Sequence, residues 1–468
     1  MSKQLKAICA AAALMLSLCA CMGEQNSDPY NSLMGELKPS ETPDSTSTRT
    51  LSLMIPEPAN TFNYLYNLAG AYMAGHEDVT IQIETISPGE DDAELVTRLM
   101  AGSAPDVLAS YVTPSVLESG HLIDLYPYMN NDPDFREEDY YMDVIKAMET
   151  NGRLYALTYS FYYFGTYAMR ADLDPAAAAW FEEAERVTYA DMVNLYQEVG
   201  AERELQFYEK FGPDDVFTYY LDSVIDLENK TCNFQDDELA SVLEAAKLIP
   251  HPNVTYSVSD GTLTMSPGGS TLAIVQQRNP ASPYLFSECD LMRNSELLFP
   301  YEGKLYTQPR MITSAGGKRL FVPFTNLMIT DSCEDRELAW DFVKFCMADH
   351  TEPFEGFSND LIGGRMSVGP WPTTNRNTYE YQCYMNVEGK YDMSIDAGLT
   401  PLGDREQVIN DAVEYLLQLP DYLERATYQY YPAGKIMWED ECLYYLDRQS
   451  IDITLTNIQS KVQLYLNE

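Results

Sequence analysis

Apolar and polar positions change their spacing in a regular order at the start of the folded part of this chain. Residues 50–55 form a short, nearly unbroken apolar run that stops at Pro56 and Pro58. From Asn60 onward, Phe62, Leu65, Leu68, Ala69 and Tyr72 recur on one side of a 3.6-residue period, which predicts strand, loop, helix. Val79, Ile81, Ile83 and Thr85 alternate as a second strand, residues 91–100 return to helical spacing and stop before Gly102, and residues 106–109 make a third strand. Strands that alternate with helices imply a parallel sheet covered on both faces, and ligands of such sheets sit beyond the carboxyl ends of the strands. Polar chemistry is therefore expected in the loops at 56–60 and 110–114, where Glu57, Asn60, Tyr111 and Thr113 lie. For Asn60, capping the following helix is the plainer role. At the far end, Ile451, Leu455, Ile458, Val462 and Leu466 line one face of a helix that Ser450 caps.

The first residues follow another rule. Lys3 and Lys6 precede an apolar stretch at 7–18 that is too short to cross a bilayer, and Leu18-Cys19-Ala20-Cys21 closes it. This resembles a bacterial lipoprotein signal over 1–20, which implies that Cys21 becomes the lipid-carrying first residue on the outer face of a membrane. Residues 22–49 are rich in Ser, Thr, Pro and acids and poor in large apolar side chains, so they cannot offset the entropy of ordering. They read as a tether that reaches on the order of 30 Å. The remainder, from about residue 50, is too long for one core, which predicts two lobes.

Charge and cysteine usage narrow the chemistry. A formal charge of -42 excludes nucleic acid as a partner and disfavours acidic lipid surfaces. No second long apolar run follows the leader. Cys232, Cys289, Cys333, Cys346, Cys383 and Cys442 show no CxxC spacing and no neighbouring His, so buried free thiols are the expectation, with disulfides among them left open. His76, His121, His251 and His350 are too scattered to define a metal or catalytic cluster. The acidic run 130–139 lacks the glycine of a calcium loop. No metal and no cofactor is expected.

Five motifs, in order, carry a resemblance to the sugar-binding family of extracellular solute-binding proteins of ABC importers, which includes maltose-binding protein. They are Gly102-Ser103-Ala104-Pro105-Asp106-Val107, Gly120-His121-Leu122-Ile123-Asp124-Leu125, Gly152-Arg153-Leu154-Tyr155-Ala156-Leu157, the stretch 167–173, and Ala339-Trp340-Asp341-Phe342-Val343-Lys344-Phe345. Thr158 stands where the family commonly has Pro, and Met169-Arg170 also departs from its pattern. The resemblance implies an α/β, two-lobed, periplasmic-binding-protein-like (type II) fold, each lobe an open, mostly parallel sheet flanked by helices. One lobe is expected over 50–159 with 322–369 and the other over 160–321 with 370–468, with crossings near 159–167, 321–329 and 370–374.

It further implies a saccharide held between the lobes, hinge closure and delivery to membrane permease subunits by a monomeric, lipid-anchored extracellular protein that is not an enzyme. Sugar recognition needs flat aromatic faces for CH surfaces and amides or carboxylates for hydroxyls. Tyr159, Tyr162, Tyr163 and Trp371 fall at the expected crossings and are the stacking candidates, although aromatic runs in strands more often build cores. Gln277, Arg278 and Tyr284 are the candidates from the second lobe. A secreted glycosidase, which needs two carboxylates across a cleft, is the alternative from another class, and a peptide or polyamine is the alternative ligand. No G-x-S-x-G, HExxH or P-loop pattern occurs.

Overall fold

The computed structural model describes residues 49–56, 63–86, 91–110, 113–163, 166–169, 175–195, 197, 213–248, 254–259, 262–267, 284–287, 298–301, 307–351, 371–396 and 398–467. The three strands at the start are β1 (Arg49–Pro56), β2 (Val79–Ile86) and β3 (Val107–Ser110). All are parallel, with β1 in the middle. β1 is buried on both faces, with Leu51, Leu53, Met54 and Ile55 wholly covered, which explains why its sequence is a run and not an alternation. β2, at the sheet edge, does alternate: Val79 and Ile81 are buried while Gln82 is exposed. The Asp106 carboxylate accepts from the Ser52 amide at 2.8 Å and its hydroxyl at 2.6 Å, pinning the β1–β3 register. The helix Asp91–Met100 ends because Gly102 takes φ +63, letting the Ser103 amide bond back to Arg98 at 2.9 Å.

The later strands are β4 (Leu157–Tyr163), β5 (Thr166–Met169), β6 (Ile225–Asp226), β7 (Thr231–Cys232), β8 (Val254–Ser259), β9 (Thr262–Pro267), β10 (Tyr284–Ser287), β11 (Arg310–Met311), β12 (Leu320–Ile329) and β13 (Arg425–Ala426). β12 completes the first sheet by pairing antiparallel with β3 and β4, and parallel with β13. β5 lies between β10 and β11 in a separate three-stranded sheet. The strands β6–β7 and β8–β9 form two-stranded ribbons.

Two apolar cores follow from this division. The first gathers β1 to β4, most of β12, the helix Arg336–Met347 and the helices Arg376–Asp396 and Arg405–Gln418. The second gathers the helices Pro175–Glu183, Tyr189–Leu195, Pro213–Val224 and Asp237–Lys247 with the last two helices, Tyr431–Tyr445 and Ile451–Asn467. β12 joins them: Leu320 is in the second core, Phe321 is in the first, and Val322 packs against both.

One segment packs elsewhere than the sequence division placed it. Residues 371–375, expected as the last crossing, run along the free edge of β4, with Ser160 bridged to Thr373 and the Thr374 amide bonded to the Tyr159 carbonyl at 3.0 Å. The two helices that follow bury Tyr379, Cys383, Val387, Val408 and Leu416 in the first core. The chain reaches the second core only between Ala426 and Tyr430. A strand edge that needs backbone partners and helices with apolar faces for the first core together hold this segment there.

Candidate functional site

The joint between the two cores is built from the end of β4, the start of β12 and the approach to the last crossing. β12 carries a register irregularity between Pro323 and Asn326. There the buried Thr325 hydroxyl meets the Tyr64 phenol and accepts from Ser160 at 3.0 Å. One step along, Thr158 donates to the Asn326 side chain at 2.9 Å. Burial pushes the Tyr64 hydroxyl well above its ordinary range. A bulge exposes backbone and twists the strand; these hydroxyls bridge β4, β12 and the helix Asn63–Gly75, so they hold the bend from the first lobe's side.

On the second lobe's side the joint is ionic. Glu424, just before β13, accepts the Arg319 amide at 3.0 Å, and its carboxylate lies 3.7 Å from the Lys318 and Arg319 side chains and 3.9 Å from Arg186. Arg186 stands between Ala184 and Val187, which pack in the second core, so this carboxylate links both crossing segments to the second lobe. Elsewhere the lobes also approach each other. Burial first, and then the charge of Glu118 at the end of the short helix after β3, raise the Tyr465 phenol of the C-terminal helix.

The candidate residues fall into three groups. Glu57, Asn60, Tyr111, Gln277 and Arg278 lie outside the described residues, while Tyr284 is the first residue of β10, in register with Met169 of β5. Thr113 is buried and spends its hydroxyl locally, accepting from the Val116 amide at 3.4 Å as the cap of the short helix Pro114–Glu118. The four aromatic candidates are all buried in the first core.

Tyr159 stacks on Tyr64 with centroids 5.3 Å apart, and the Tyr163 hydroxyl bonds to that of Tyr379. Tyr162 and Trp371 lie 5.4 Å apart and both pack on Phe324. Tyr159 and Tyr163 are thus packed among first-core side chains, 2% and 0% exposed. Tyr162 is in register with Val322, the residue shared by the two cores, so the Tyr162–Phe324–Trp371 trio supports the floor of the joint.

The sequence reading missed the hydroxyl cluster of Tyr64, Ser160 and Thr325 and the aromatic last crossing at 426–431. The cluster joins residues far apart in sequence, so no local pattern could reveal it. The crossing had a signal, in Tyr428, Tyr430 and Tyr431 beside Pro432. Among the described residues, no group of three or more His, Cys, Asp or Glu could hold a metal ion, and no helix is long and apolar enough to cross a membrane.

A family model for bacterial extracellular solute-binding proteins matches residues 67–352, more than half of the chain. The chain belongs to this family. Comparison with curated protein sequences finds no match. Among solved structures, the sugar-binding protein MalE from Xanthomonas citri is similar with a TM-score of 0.52 at 14% identity, covering 89% of this chain and 97% of that one. Maltose-bound MalE3 from T. maritima gives 0.51 at 14%, covering 89% and 100%. An ABC substrate-binding protein from Listeria monocytogenes in complex with cycloalternan gives 0.50 at 13%, covering 90% and 99%. At these identities the likeness is one of fold: the solute-binding protein has the two-lobed, periplasmic-binding-protein-like architecture.

Proposed function

We propose that this solute-binding protein captures a small saccharide between its lobes and hands it to the permease subunits of an ABC importer, anchored outside the cell through lipid on Cys21. The observation that carries the reading is the joint itself. Two separate cores are joined by few residues, β12 with Val322 common to both and the steps from Met311 to Ile312 and from Ala426 to Tyr430, so the lobes can turn against each other without either core being opened. Solutes that touch both lobes then favour the closed arrangement by their extra contacts, and binding and closure share one equilibrium.

The proposed contacts come from the loops after the first and third strands, with Glu57, Asn60 and Tyr111, and from Gln277, Arg278 and Tyr284 across the gap. Tyr162 and Trp371 form the floor beneath, while Thr113 caps the helix Pro114–Glu118. The proposed lobes are 49–163 with 322–426 and 166–319 with 427–467, following core membership except at Phe299, Tyr301 and Met311, which pack in the first core. Maltose and cycloalternan in the structures named above support a saccharide as the ligand class. Capture needs no catalytic group, and none is assigned.

Thermal unfolding with maltooligosaccharides, cyclic oligosaccharides, peptides and polyamines tests the reading. A true ligand at a hundred times its Kd stabilises the chain by about 2.7 kcal/mol. Stabilisation by a saccharide, without its consumption, is the expected outcome. Stabilisation by peptides or polyamines alone would change the ligand class, and turnover of a chromogenic glycoside would replace capture by hydrolysis.

A further inference from the structure

β12 meets two strands along one edge. β3 takes residues 326–329 and β13 takes 320–321, while β4 runs along the opposite edge over 321–327. β3 and β13 therefore stop short of each other, and the interval between them begins at Val322, the residue that packs against both cores. Ser110, the last residue of β3, stands opposite Asn326 at the first-lobe end of this interval, so the loop expected to carry ligand contacts leaves there. At the other end stand four cations. Lys318, Arg319 and Arg186 share the single carboxylate of Glu424, at 3.7, 3.7 and 3.9 Å. The hydrogen bonds of Arg310, the fourth, go among the described residues to the carbonyls of Phe181, Glu182 and Glu185 and to no carboxylate. Burial first, and then the charge of Arg319, hold the Arg310 guanidinium below its ordinary range. Asp222, the other acid at this place, spends its oxygens on the Ser314 hydroxyl and the Gly316 amide, which fixes the turn that presents Lys318. The side chains of Arg186 and Lys318 are 46% and 43% exposed, so they are open to a solute.

We propose that the captured saccharide is acidic, and that Arg186, Lys318 and Arg319 hold its carboxylate or sulfate at the second-lobe end of this interval. The inference deepens the capture reading and rests on it. Glu424 already shows that the cluster holds a carboxylate, and it is one negative charge among four positive ones. Guanidinium groups present planar forks of donors that match such oxyanions. The formal charge of -42 does not oppose this. At physiological salt, charges are screened beyond about 8 Å, so an anion here responds to the nearby cations and Glu424 more than to acids across the surface. Arg319 and Lys318 lie three and four residues before Val322, about 10 to 13 Å along the chain at strand spacing. An oligosaccharide lying over the interval therefore brings one end to the cations while the other meets the loop after β3.

Isothermal titration calorimetry of the full chain tests this with pairs that differ in charge: trigalacturonate and its methyl ester for the carboxylate, neocarratetraose sulfate and its desulfated form for the sulfate. In one pair the charged member binds about tenfold tighter, and this preference shrinks as salt rises from about 20 to about 300 mM. The pair that shows it tells carboxylate from sulfate. Lys318→Met keeps the length of the side chain and removes its charge, and lowers the preference about threefold. Glu424→Gln keeps an acceptor for the Arg319 amide and removes the opposing charge, and raises the preference about threefold. Arg186→Lys retains the preference that Arg186→Gln loses, and serves where Lys318→Met fails to fold. The ratio within a pair is the readout, because damage to the fold weakens both members alike. Charged members that bind no tighter than neutral ones, binding confined to neutral maltooligosaccharides, or a ratio that Lys318→Met and Glu424→Gln leave unmoved would overturn the acidic ligand while capture stands. If no saccharide of either kind binds the parent chain, the capture reading fails and the acidic ligand fails with it.

Discussion

The two lobes solve the same packing problem by different means. The first is organised by a six-stranded sheet whose middle is buried on both faces, with aromatic rings such as Tyr64, Tyr159, Phe161 and Tyr163 layered on it. Among the described residues, the second has strands of two to six residues in small sheets and draws its core from helices, with Phe181, Tyr189, Tyr219 and Phe234 inside. A parallel sheet fixes where its strands end, as at Pro56 and Ser110, whereas a helix bundle can slide by fractions of a turn. The difference makes the first lobe the natural reference frame for the proposed turn, with the second lobe as the part that would move against it.

The sharpest test sets one buried phenylalanine from each lobe against the other. Phe161 in β4 and Phe181 in the helix Pro175–Glu183 are both wholly covered. Replacement by Ala costs about 3 to 5 kcal/mol in either place. The pattern should differ. Phe161 touches the rings of Phe321 and Tyr163 on both sides of the joint's strands, so Phe161→Ala lowers one cooperative urea transition. Phe181→Ala instead separates an early transition of the second lobe from that of the first, read by fluorescence and circular dichroism together. Equal, unsplit shifts in both variants would show that the frame and the moving part are not distinct.

The same contrast explains what could be read from the sequence. Residues 50–55, 79–85, 91–100 and 106–109 were legible because each element pairs or packs against its near neighbours, so its period survives in the sequence; the structure places them at Arg49–Pro56, Val79–Ile86, Asp91–Met100 and Val107–Ser110. The C-terminal helix was legible for the same reason, with Leu455, Ile458, Val462 and Leu466 buried. β12 has no period to read, since all but one of its residues are buried; it was the resemblance that set a crossing at 321–329, where the strand runs over Leu320–Ile329. The burial of the aromatic candidates was not legible, because tyrosine serves cores and sugars equally well. Only the partners decide, and those of Tyr163 and Trp371, Tyr379 and Phe324, come from distant segments.

A second test uses a carboxylate that each lobe holds in the same way. Asp132 in the first lobe accepts from Lys344 at 2.9 Å and the Trp340 indole at 2.8 Å. Asp440 in the second accepts from Lys461 at 2.5 Å, Asn457 at 2.9 Å and Gln449 at 3.1 Å. Burial pushes both carboxyls up, but the lysine and the neutral donors prevail and hold each below the ordinary carboxylate range. A depressed folded pKa adds stability above the unfolded value of about 3.9 and loses it as pH falls through the folded value. Asp440→Asn is therefore expected to cost about 1 to 3 kcal/mol at pH 7, with the gap to the parent closing below about pH 4. Asp132→Asn follows the same course at about half the size, because its side chain is 13% exposed against 3% for Asp440. Denaturant titrations at pH 7, 5 and 3 measure both. A gap that persists undiminished at pH 3 would assign the loss to packing instead of charge.

The smallest effect is expected at the joint itself, where the frame meets the moving part. Thr325→Val keeps the shape of the side chain and removes the hydroxyl that meets Tyr64 and Ser160. Two polar groups would then be stranded, which ordinarily costs 1 to 3 kcal/mol or thereabouts. However, Ser160 also acts on the Tyr64 hydroxyl, so these two can still satisfy each other once Thr325 is gone. The net loss is therefore about 1 kcal/mol. Ser160→Ala alone should behave alike, while the double variant with Thr325→Val leaves Tyr64 without either neighbour and should cost more than the sum of the two single changes. A double-mutant cycle by urea denaturation measures that excess, which for residues in one network is 0.5 kcal/mol or roughly more. Strict additivity would mean that the bend in β12 is held by its backbone and the packing of Phe324, with the hydroxyls merely filling the space beside it.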